Sequence, residues 1–200
     1  MKKALFTLFI LFQISSVFGQ RINEIGLETS YGIRLDDRFM KDFYDFKFDL
    51  GIQYNFLEKE KFILGVTCNL SKFSNENFDI RLITWVPQLE LGYRIALGNF
   101  MITPKVAIGY ASDNFRMDSD RFNSNGQPIS KETYTLRDQG VSSNIGLAIA
   151  MPISTNFAVN VQCDYQFMRL KSINNPRGDS WNSTHMLYPR IGVSYTLDKK

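Results

Sequence analysis

Apolar and polar residues alternate with a period of two along most of the chain. Between residues 44 and 56 every even position is apolar, and the odd positions carry Asp, Lys, Gly, Gln and Asn. A period of two places alternate side chains on opposite faces of an extended strand. The same alternation occurs over residues 25–33, 62–70, 85–93, 100–110, 141–151, 157–167 and 187–197. The pattern predicts eight strands, each with one apolar and one polar face.

The segments between these strands are alternately long and short. Residues 57–60, 96–99 and 152–156 form short connections, whereas residues 36–42, 73–81, 112–133 and 171–183 form longer, polar ones. Short turns at one end and long loops at the other are typical of bacterial outer-membrane barrels. We therefore predict an all-β fold, an eight-stranded antiparallel up-and-down transmembrane β-barrel with both termini at the turn end.

Alternation alone does not say which face of the barrel is outside. A soluble lipocalin-like barrel would turn its apolar face inward, but this many large apolar side chains would overfill an eight-stranded interior. Eight strand glycines lie on the polar face, where they leave room for long neighbours in a narrow lumen. Charges on the apolar face, Lys72 and Arg169, fall at the loop ends. These features favour an apolar face turned to lipid.

The aromatic residues gather near both ends of the predicted strands, as expected for girdles at the two membrane interfaces. The turn-end girdle is predicted to contain Tyr54, Phe56, Phe62, Tyr93, Phe100, Phe157 and Tyr195. The loop-end girdle is predicted to contain Tyr31, Tyr44, Phe46, Trp85, Tyr110, Tyr165 and Phe167.

The first nineteen residues have the layout of a secretory signal peptide. Lys2 and Lys3 precede an apolar run over residues 4–12, and Val17 and Gly19 supply small residues for a cleavage site. The apolar run is far shorter than the roughly 20 residues of a membrane-spanning helix. We expect a signal peptide over residues 1–19 and a barrel domain over residues 20–200, delivered to the outer membrane.

Several segments together resemble the outer-membrane β-barrel family of Bacteroidota, whose members are often labelled porin-family or PorT-like. The resemblance includes the leader, the eight strands, the run from Pro87 to Arg94, the run 104–110, and the terminal segment 191–197. It implies an outer-membrane barrel and no particular activity. Three prolines within strands, Pro87, Pro104 and Pro189, lack a ladder donor, so bulges are expected there and at the phase change between residues 82 and 83.

Charge and composition exclude several function classes. The chain has 23 Lys and Arg against 20 Asp and Glu, so its near-neutral balance gives no support for nucleic-acid binding. With two cysteines and one histidine, a zinc site of the Cys/His type is not expected. We predict no cofactor and no metal.

Charged residues on the polar face are predicted to line the lumen and to pair with one another, because an unpaired buried charge is costly. The predicted lumen network is Glu28, Asp45, Lys47, Asp49, Glu90, Arg94, Lys105, Asp164 and Arg190. A rigidifying plug is the favoured interpretation, and an ion or proton path is the alternative.

Two further groups of residues suggest chemistry only weakly. Ser183 and His185 share a strand face at the loop end and suggest a lipid-modifying hydrolase, but no orienting carboxylate is evident. The 112–133 segment carries clustered Asp and Asn residues, yet their spacing does not match a calcium-binding EF-hand loop. We interpret it as a solvated, mobile loop.

The sequence predicts a non-enzymatic outer-membrane protein with a structural or interaction role. Its expected partners are outer-membrane lipid and a larger envelope complex for secretion, uptake or assembly, with Phe122, Tyr134 and Trp181 as candidate loop anchors. A narrow passage for small solutes is the alternative, and a lipid-modifying enzyme is the third hypothesis.

Overall fold

A computed structural model describes residues 23–35, 45–75, 80–122, 128–173 and 181–197, with the backbone alone described at 119–122, 128, 129 and 131. The predicted signal peptide, the 36–42 loop and Tyr44 lie outside these residues. Every regular element in the described part of the chain is a β-strand. Among the described residues, no helix is long and apolar enough to cross a membrane.

The described residues contain ten strand segments. They are β1 (Glu24–Ser30), β2 (Ile33–Arg34), β3 (Asp45–Lys59), β4 (Phe62–Asn75), β5 (Ile80–Tyr93), β6 (Ile95–Leu97), β7 (Phe100–Phe122), β8 (Pro128–Pro152), β9 (Phe157–Ser172) and β10 (Trp181–Thr196). Each segment pairs antiparallel with its neighbours.

The sheet closes on itself because β1 pairs with β3 on one side and with β10 on the other. Segment β2 continues β1 along β10, and β6 continues β5 along β7, each in the same register as the segment before it. The ten described segments therefore form the eight continuous strands of a closed up-and-down barrel. The predicted fold class is confirmed.

The three strand prolines interrupt the ladder without shifting its register. Between β5 and β7 the pairing stops at Trp85 and resumes at Gln88, on either side of Pro87. Pro104 lies opposite Tyr93, at the break between the β5–β7 and β6–β7 pairings, and Pro189 lies opposite the gap between β1 and β2. Since proline has no N–H to donate, a few bridges are lost while the strands stay aligned. The prediction of bulges at these prolines was therefore wrong.

The bulge predicted at residues 82 and 83 was also wrong, because both residues pair in unbroken register with β4 and β7. The structure instead places bulges in β3, between Phe46 and Phe48 and between Asn55 and Leu57. The first reverses the local phase of the strand, so Phe46 turns inward and its ring packs 5.3 Å from that of Phe73.

The same reversal moves two charges out of the predicted lumen network. Asp45 and Lys47 flank the inward-facing Phe46, and both are exposed. Alternation in the rest of β3 is unaffected, and Asp49 is fully buried. The prediction that Asp45 and Lys47 line the lumen was therefore wrong, since the extra residue of a bulge changes which face each neighbour occupies.

The barrel is apolar outside and largely polar inside. Large apolar side chains such as Ile108, Ile145 and Val161 are more than half exposed, whereas Asp49, Asp164 and Arg190 are almost completely buried. A soluble barrel would bury its apolar face, so this inverted arrangement requires an apolar surrounding. The lipid-facing orientation inferred from the sequence agrees with it.

Candidate functional site: the lumen and the loop-end hairpin

The middle of the lumen is organised around one arginine. Arg190 of β10 places Nη1 2.8 Å from Oδ1 of Asp49 and 2.9 Å from Oδ1 of Asn69, and its Nε lies 2.9 Å from Oδ2 of Asp164. Its guanidinium also lies 4.9 Å from the centre of the Tyr188 ring. One cation thereby joins carboxylates from β3 and β9 across the barrel.

The Asp49 carboxylate is further held by neutral donors. Ser30 donates to Oδ1 and Ser71 to Oδ2, each at 2.6 Å. Gln162 donates to Asp164 from two residues away on β9. Hydrogen bonds of this kind offset the cost of removing charges from water.

A second ion pair lies nearer the turn end. Lys105 of β7 places Nζ 3.0 Å from Oε2 of Glu90, whose other oxygen accepts a hydrogen bond of 2.6 Å from Gln53. The buried Glu28 carboxylate lies within electrostatic reach of Lys105 and Arg190. The two ion pairs therefore belong to one electrostatically coupled layer.

Arg94 links the lumen to the turn end. It forms ion pairs with Glu24 and Glu58, the latter at 3.1 Å. Neither glutamate was in the predicted network, because the sequence places each near a strand end, where the direction of a side chain is hard to infer. Six of the nine predicted residues are buried in the lumen, and Arg94 lies at its turn-end rim.

Glycines make space for this network. A Cβ at Gly51 would lie 2.7 Å from Oδ1 of Asn69 and 3.1 Å from Nη1 of Arg190. A Cβ at Gly146 would overlap the Asp164 carboxylate, and one at Gly192 would lie 2.8 Å from Cγ of Glu28. The large polar side chains therefore occupy positions that the glycine-bearing walls leave open.

A cavity of about 870 Å³ opens at the turn end of the lumen. Charged residues, including Glu28, Glu90, Arg94 and Lys105, line one part of it. Small residues of the last strands, Ala148, Ala150 and Ala158, line another. The cavity ends inward at the charged layer.

The loop-end half of the lumen is closed by an apolar cluster that the sequence analysis missed. Opposite walls of the barrel contribute to it, and its members are at most 7% exposed: Phe73, Leu82, Val86, Ala111, Met168, Leu170, Met186 and Tyr188. Phe46 and Phe115 pack against it. The signal in the sequence was the loss of strict alternation near these strand ends, where apolar residues occur on both faces.

The described members of the predicted girdles lie at the two ends of the barrel exterior, except Phe46, which turns inward and was wrongly assigned to the loop-end girdle. Tyr31, Tyr54, Phe62, Trp85, Phe100, Tyr110, Phe157, Tyr165 and Tyr195 are exposed, and Phe56 and Tyr93 are half-buried. At the turn end the rings of Phe62 and Tyr93 pack edge to face, 4.9 Å apart. Phe56 is the extra residue of the second β3 bulge.

The described residues of the 112–133 segment do not form the predicted solvated loop. Residues up to 122 continue β7, and those from 128 belong to β8, paired to one another in a hairpin. Within it Thr133 donates to Asp118 at 2.6 Å, and Arg116 places Nε 3.3 Å from the same carboxylate. Polar side chains form hydrogen bonds across the outer side of the hairpin. The strands are therefore hydrophilic there, and the loop predicted from their composition was wrong. Of the clustered residues, Asn123 and Asn125 lie outside the described part.

Ser183 and His185 do not form a hydrogen-bonded pair among the described residues. Nδ1 of His185 lies 2.5 Å from the Tyr165 hydroxyl, and its ring lies 5.0 Å from that of Phe167. Ser183 pairs across the strands with Arg169. In the described part of the chain, no group of three or more His, Cys, Asp or Glu side chains is arranged to hold a metal ion.

Two solved structures share this fold over most of both chains. A major outer membrane protein from Thermus thermophilus has a TM-score of 0.59 and 10% identity, covering 89% of this chain and 100% of that one. Neisserial surface protein A has a TM-score of 0.51 and 9% identity, covering 87% and 96%. The chain thus has the fold of the small transmembrane β-barrels. No protein-family model and no curated protein matches the sequence.

Proposed function

We propose that this chain is a non-enzymatic outer-membrane protein whose barrel is a closed membrane anchor and whose loop-end hairpin contacts another envelope component. The inverted exterior supports membrane insertion, and the two structural neighbours are described as an outer membrane protein and a surface protein. The Bacteroidota resemblance, with its expected leader, is consistent with this location.

The observation that carries the interaction role is the length of the β7–β8 hairpin. Pairing of β7 with β5 ends at Met117, and pairing of β8 with β9 begins at Asp138. The two strands nevertheless stay paired with each other as far as Phe122 and Pro128. Among the described residues, the hairpin therefore extends beyond its paired neighbours by about 17 Å on the β7 side, at about 3.3 Å per residue.

One side of this hairpin is apolar. Phe115 packs against the lumen cluster, and its cross-strand partner Leu136 is exposed. The next pair on this side, Met117 and Tyr134, continues the apolar surface away from the membrane. Exposed aromatic and aliphatic side chains on a rigid element are common anchors of protein interfaces.

The alternatives receive less support. A solute passage would need an open route, but the apolar cluster closes the loop-end half of the lumen. Hydrolysis by Ser183 would need a base within hydrogen-bonding reach, whereas Nδ1 of His185 is engaged by Tyr165.

Site-specific photocrosslinking in the native outer membrane tests the proposal. A photoreactive residue at Tyr134 is expected to give a discrete crosslinked product of defined mass. The same residue at Val161, on the lipid-facing wall, is the matched control and is expected to give none. Identical products at both positions, or none at Tyr134 in correctly folded protein, would contradict the interaction role.

A further inference from the structure

The outer wall of β8, β9 and β10 carries a cluster of cations at the loop end of the membrane-facing surface. We name this surface the rim patch. It comprises the cations Arg137, Arg169 and Lys171, together with Trp181, Ser183 and His185. Registers place Lys171 directly opposite Trp181, and Arg169 directly opposite Ser183. Ile173, two residues beyond Lys171, donates its N–H to the Arg137 carbonyl at 2.9 Å. With strands about 4.8 Å apart, these side chains form one continuous surface.

Aromatic residues at the loop end contact the side chains of the patch, either directly or through Gln139. The Arg169 guanidinium lies 5.3 Å from the centre of the Trp181 ring. In the orientation of the Gln139 amide that satisfies both its oxygen and its nitrogen, the oxygen accepts a hydrogen bond from Nε of Arg137 at 2.7 Å and the nitrogen donates one to the Tyr110 hydroxyl at 2.6 Å. His185 bonds Tyr165. Since girdle aromatics such as Tyr110 and Tyr165 lie at the depth of lipid headgroups, the patch adjoins the headgroup region.

The charge of the patch has one sign. The outward-facing side chains of its three strands, over 137–141, 167–173 and 181–187, include Arg137, Arg169 and Lys171 and no carboxylate. Asp138 lies on the opposite face, in the row shared with Asp113 and Ser172. The turn-end rim differs, because Glu58, Lys59, Glu60 and Lys61 alternate in sign there.

We propose that the rim patch binds the phosphate of a phosphorylated lipid headgroup in the leaflet on the loop side of the membrane. Guanidinium groups bind phosphate oxygens in bidentate geometry, and Lys171 adds a compact charge next to them. Trp181 provides an amphipathic surface for the sugar or glycerol that carries the phosphate. This inference rests on the membrane insertion given under the proposed function and goes beyond it.

The test uses full-length protein in detergent, with bound lipid counted by native mass spectrometry. The probes are bisphosphorylated lipid A and the same lipid A after enzymatic removal of its phosphates. Wild-type protein is expected to bind the phosphorylated form at least fivefold more tightly. Arg169→Gln/Lys171→Gln is expected to abolish this preference, and Lys59→Gln/Lys61→Gln, which removes two charges at the opposite rim, to retain it.

Three outcomes would overturn the inference: equal binding of the two lipids, an unchanged preference in the rim variant, or displacement of lipid by millimolar inorganic phosphate. The last would show a site for free anions instead of a lipid site. Folding of each variant is checked by the change in gel mobility on boiling. Wild-type protein that is recovered folded but fails to insert into lipid vesicles would contradict the proposed function itself, which separates the two failures.

Discussion

Asp49 and Arg190 lie 141 residues apart in the chain and meet at 2.8 Å inside the barrel, both almost completely shielded from solvent. They belong to β3 and β10, the two strands that flank β1 where the barrel closes. The pair can form only when closure is complete. It therefore ties the two ends of the sheet together from within.

Breaking this pair is expected to destabilise the barrel strongly. Arg190→Met leaves Asp49 and Asp164 without their cation, and the free energy of unfolding should fall by about 3–5 kcal/mol. The change is measured by titrating with urea and following the fraction of protein that still runs at the folded position on a gel without boiling. Arg116→Met, which removes an exposed ion pair with Asp118, is the control and should cost less than about 1 kcal/mol. Equal losses in the two variants would contradict the structural role of the lumen pair.

The closed lumen predicts an electrically silent barrel. Wild-type protein in planar bilayers should show no conductance above that of lipid alone, because Met168, Met186 and Tyr188 belong to the apolar cluster that closes the loop-end half of the lumen. Replacing these three side chains by alanine should admit water and small ions. Val161→Ala, on the lipid-facing wall, should stay silent. Reproducible conductance steps in wild-type protein would favour the solute-passage hypothesis instead.

Gly109 is predicted to be irreplaceable where Gly26 is not. A Cβ at Gly109 would overlap the Pro87 carbonyl oxygen, which belongs to backbone and cannot move aside cheaply. Gly109→Ala should therefore cost about 1–3 kcal/mol or prevent folding. At Gly26 the nearest atom to a new Cβ is 3.5 Å away, an ordinary contact, so Gly26→Ala should fold normally. Comparable refolding yields of the two variants would refute this distinction.

The turn between β3 and β4 contains a strained backbone conformation at Glu60, which a glycine would relieve. Glu60 has a φ of 57°, in the region that favours glycine, and Gly98 occupies the equivalent position between β6 and β7 with a φ of 59°. Glu60→Gly should stabilise the barrel by about 0.5–1 kcal/mol, the left-handed penalty less the added entropy of glycine. Gly98→Glu should lower stability by a similar amount. Urea midpoints check both, and a stabilising Gly98→Glu would contradict the turn assignment.

The contacts of Asp118 with Thr133 and Arg116 in the hairpin should weaken at acid pH. The hydrogen bond from Thr133, together with Arg116, holds the pKa of the Asp118 carboxyl below its ordinary value. A depressed pKa means that the stabilisation is present above the ordinary carboxyl range and is lost as the pH falls through the lowered value. Thr133→Val should raise the pKa of Asp118, as followed by carboxyl-carbon NMR. Thr135→Val, one row away, should leave it unchanged.

Much of the fold follows from local sequence. Alternation between Leu50 and Tyr54 specifies a strand and its lipid-facing side, because successive side chains of an extended backbone point in opposite directions whatever the rest of the chain does. Turn lengths then order the strands. The aromatic girdles and the buried Asp49, Glu90, Lys105, Asp164 and Arg190 follow from the same alternation.

What local sequence could not supply depends on contacts between distant strands. The bulge beside Phe46 forms because that ring packs against Phe73, and it turns Asp45 and Lys47 outward. The apolar closure of the lumen combines Val86 of β5 and Met186 of β10, which lie on opposite walls of the barrel. The long hairpin brings Asp118 within 2.6 Å of Thr133, which lies 15 residues further along the chain. Period-two alternation assigns a side chain to a face, but only the closed barrel determines what each face contacts.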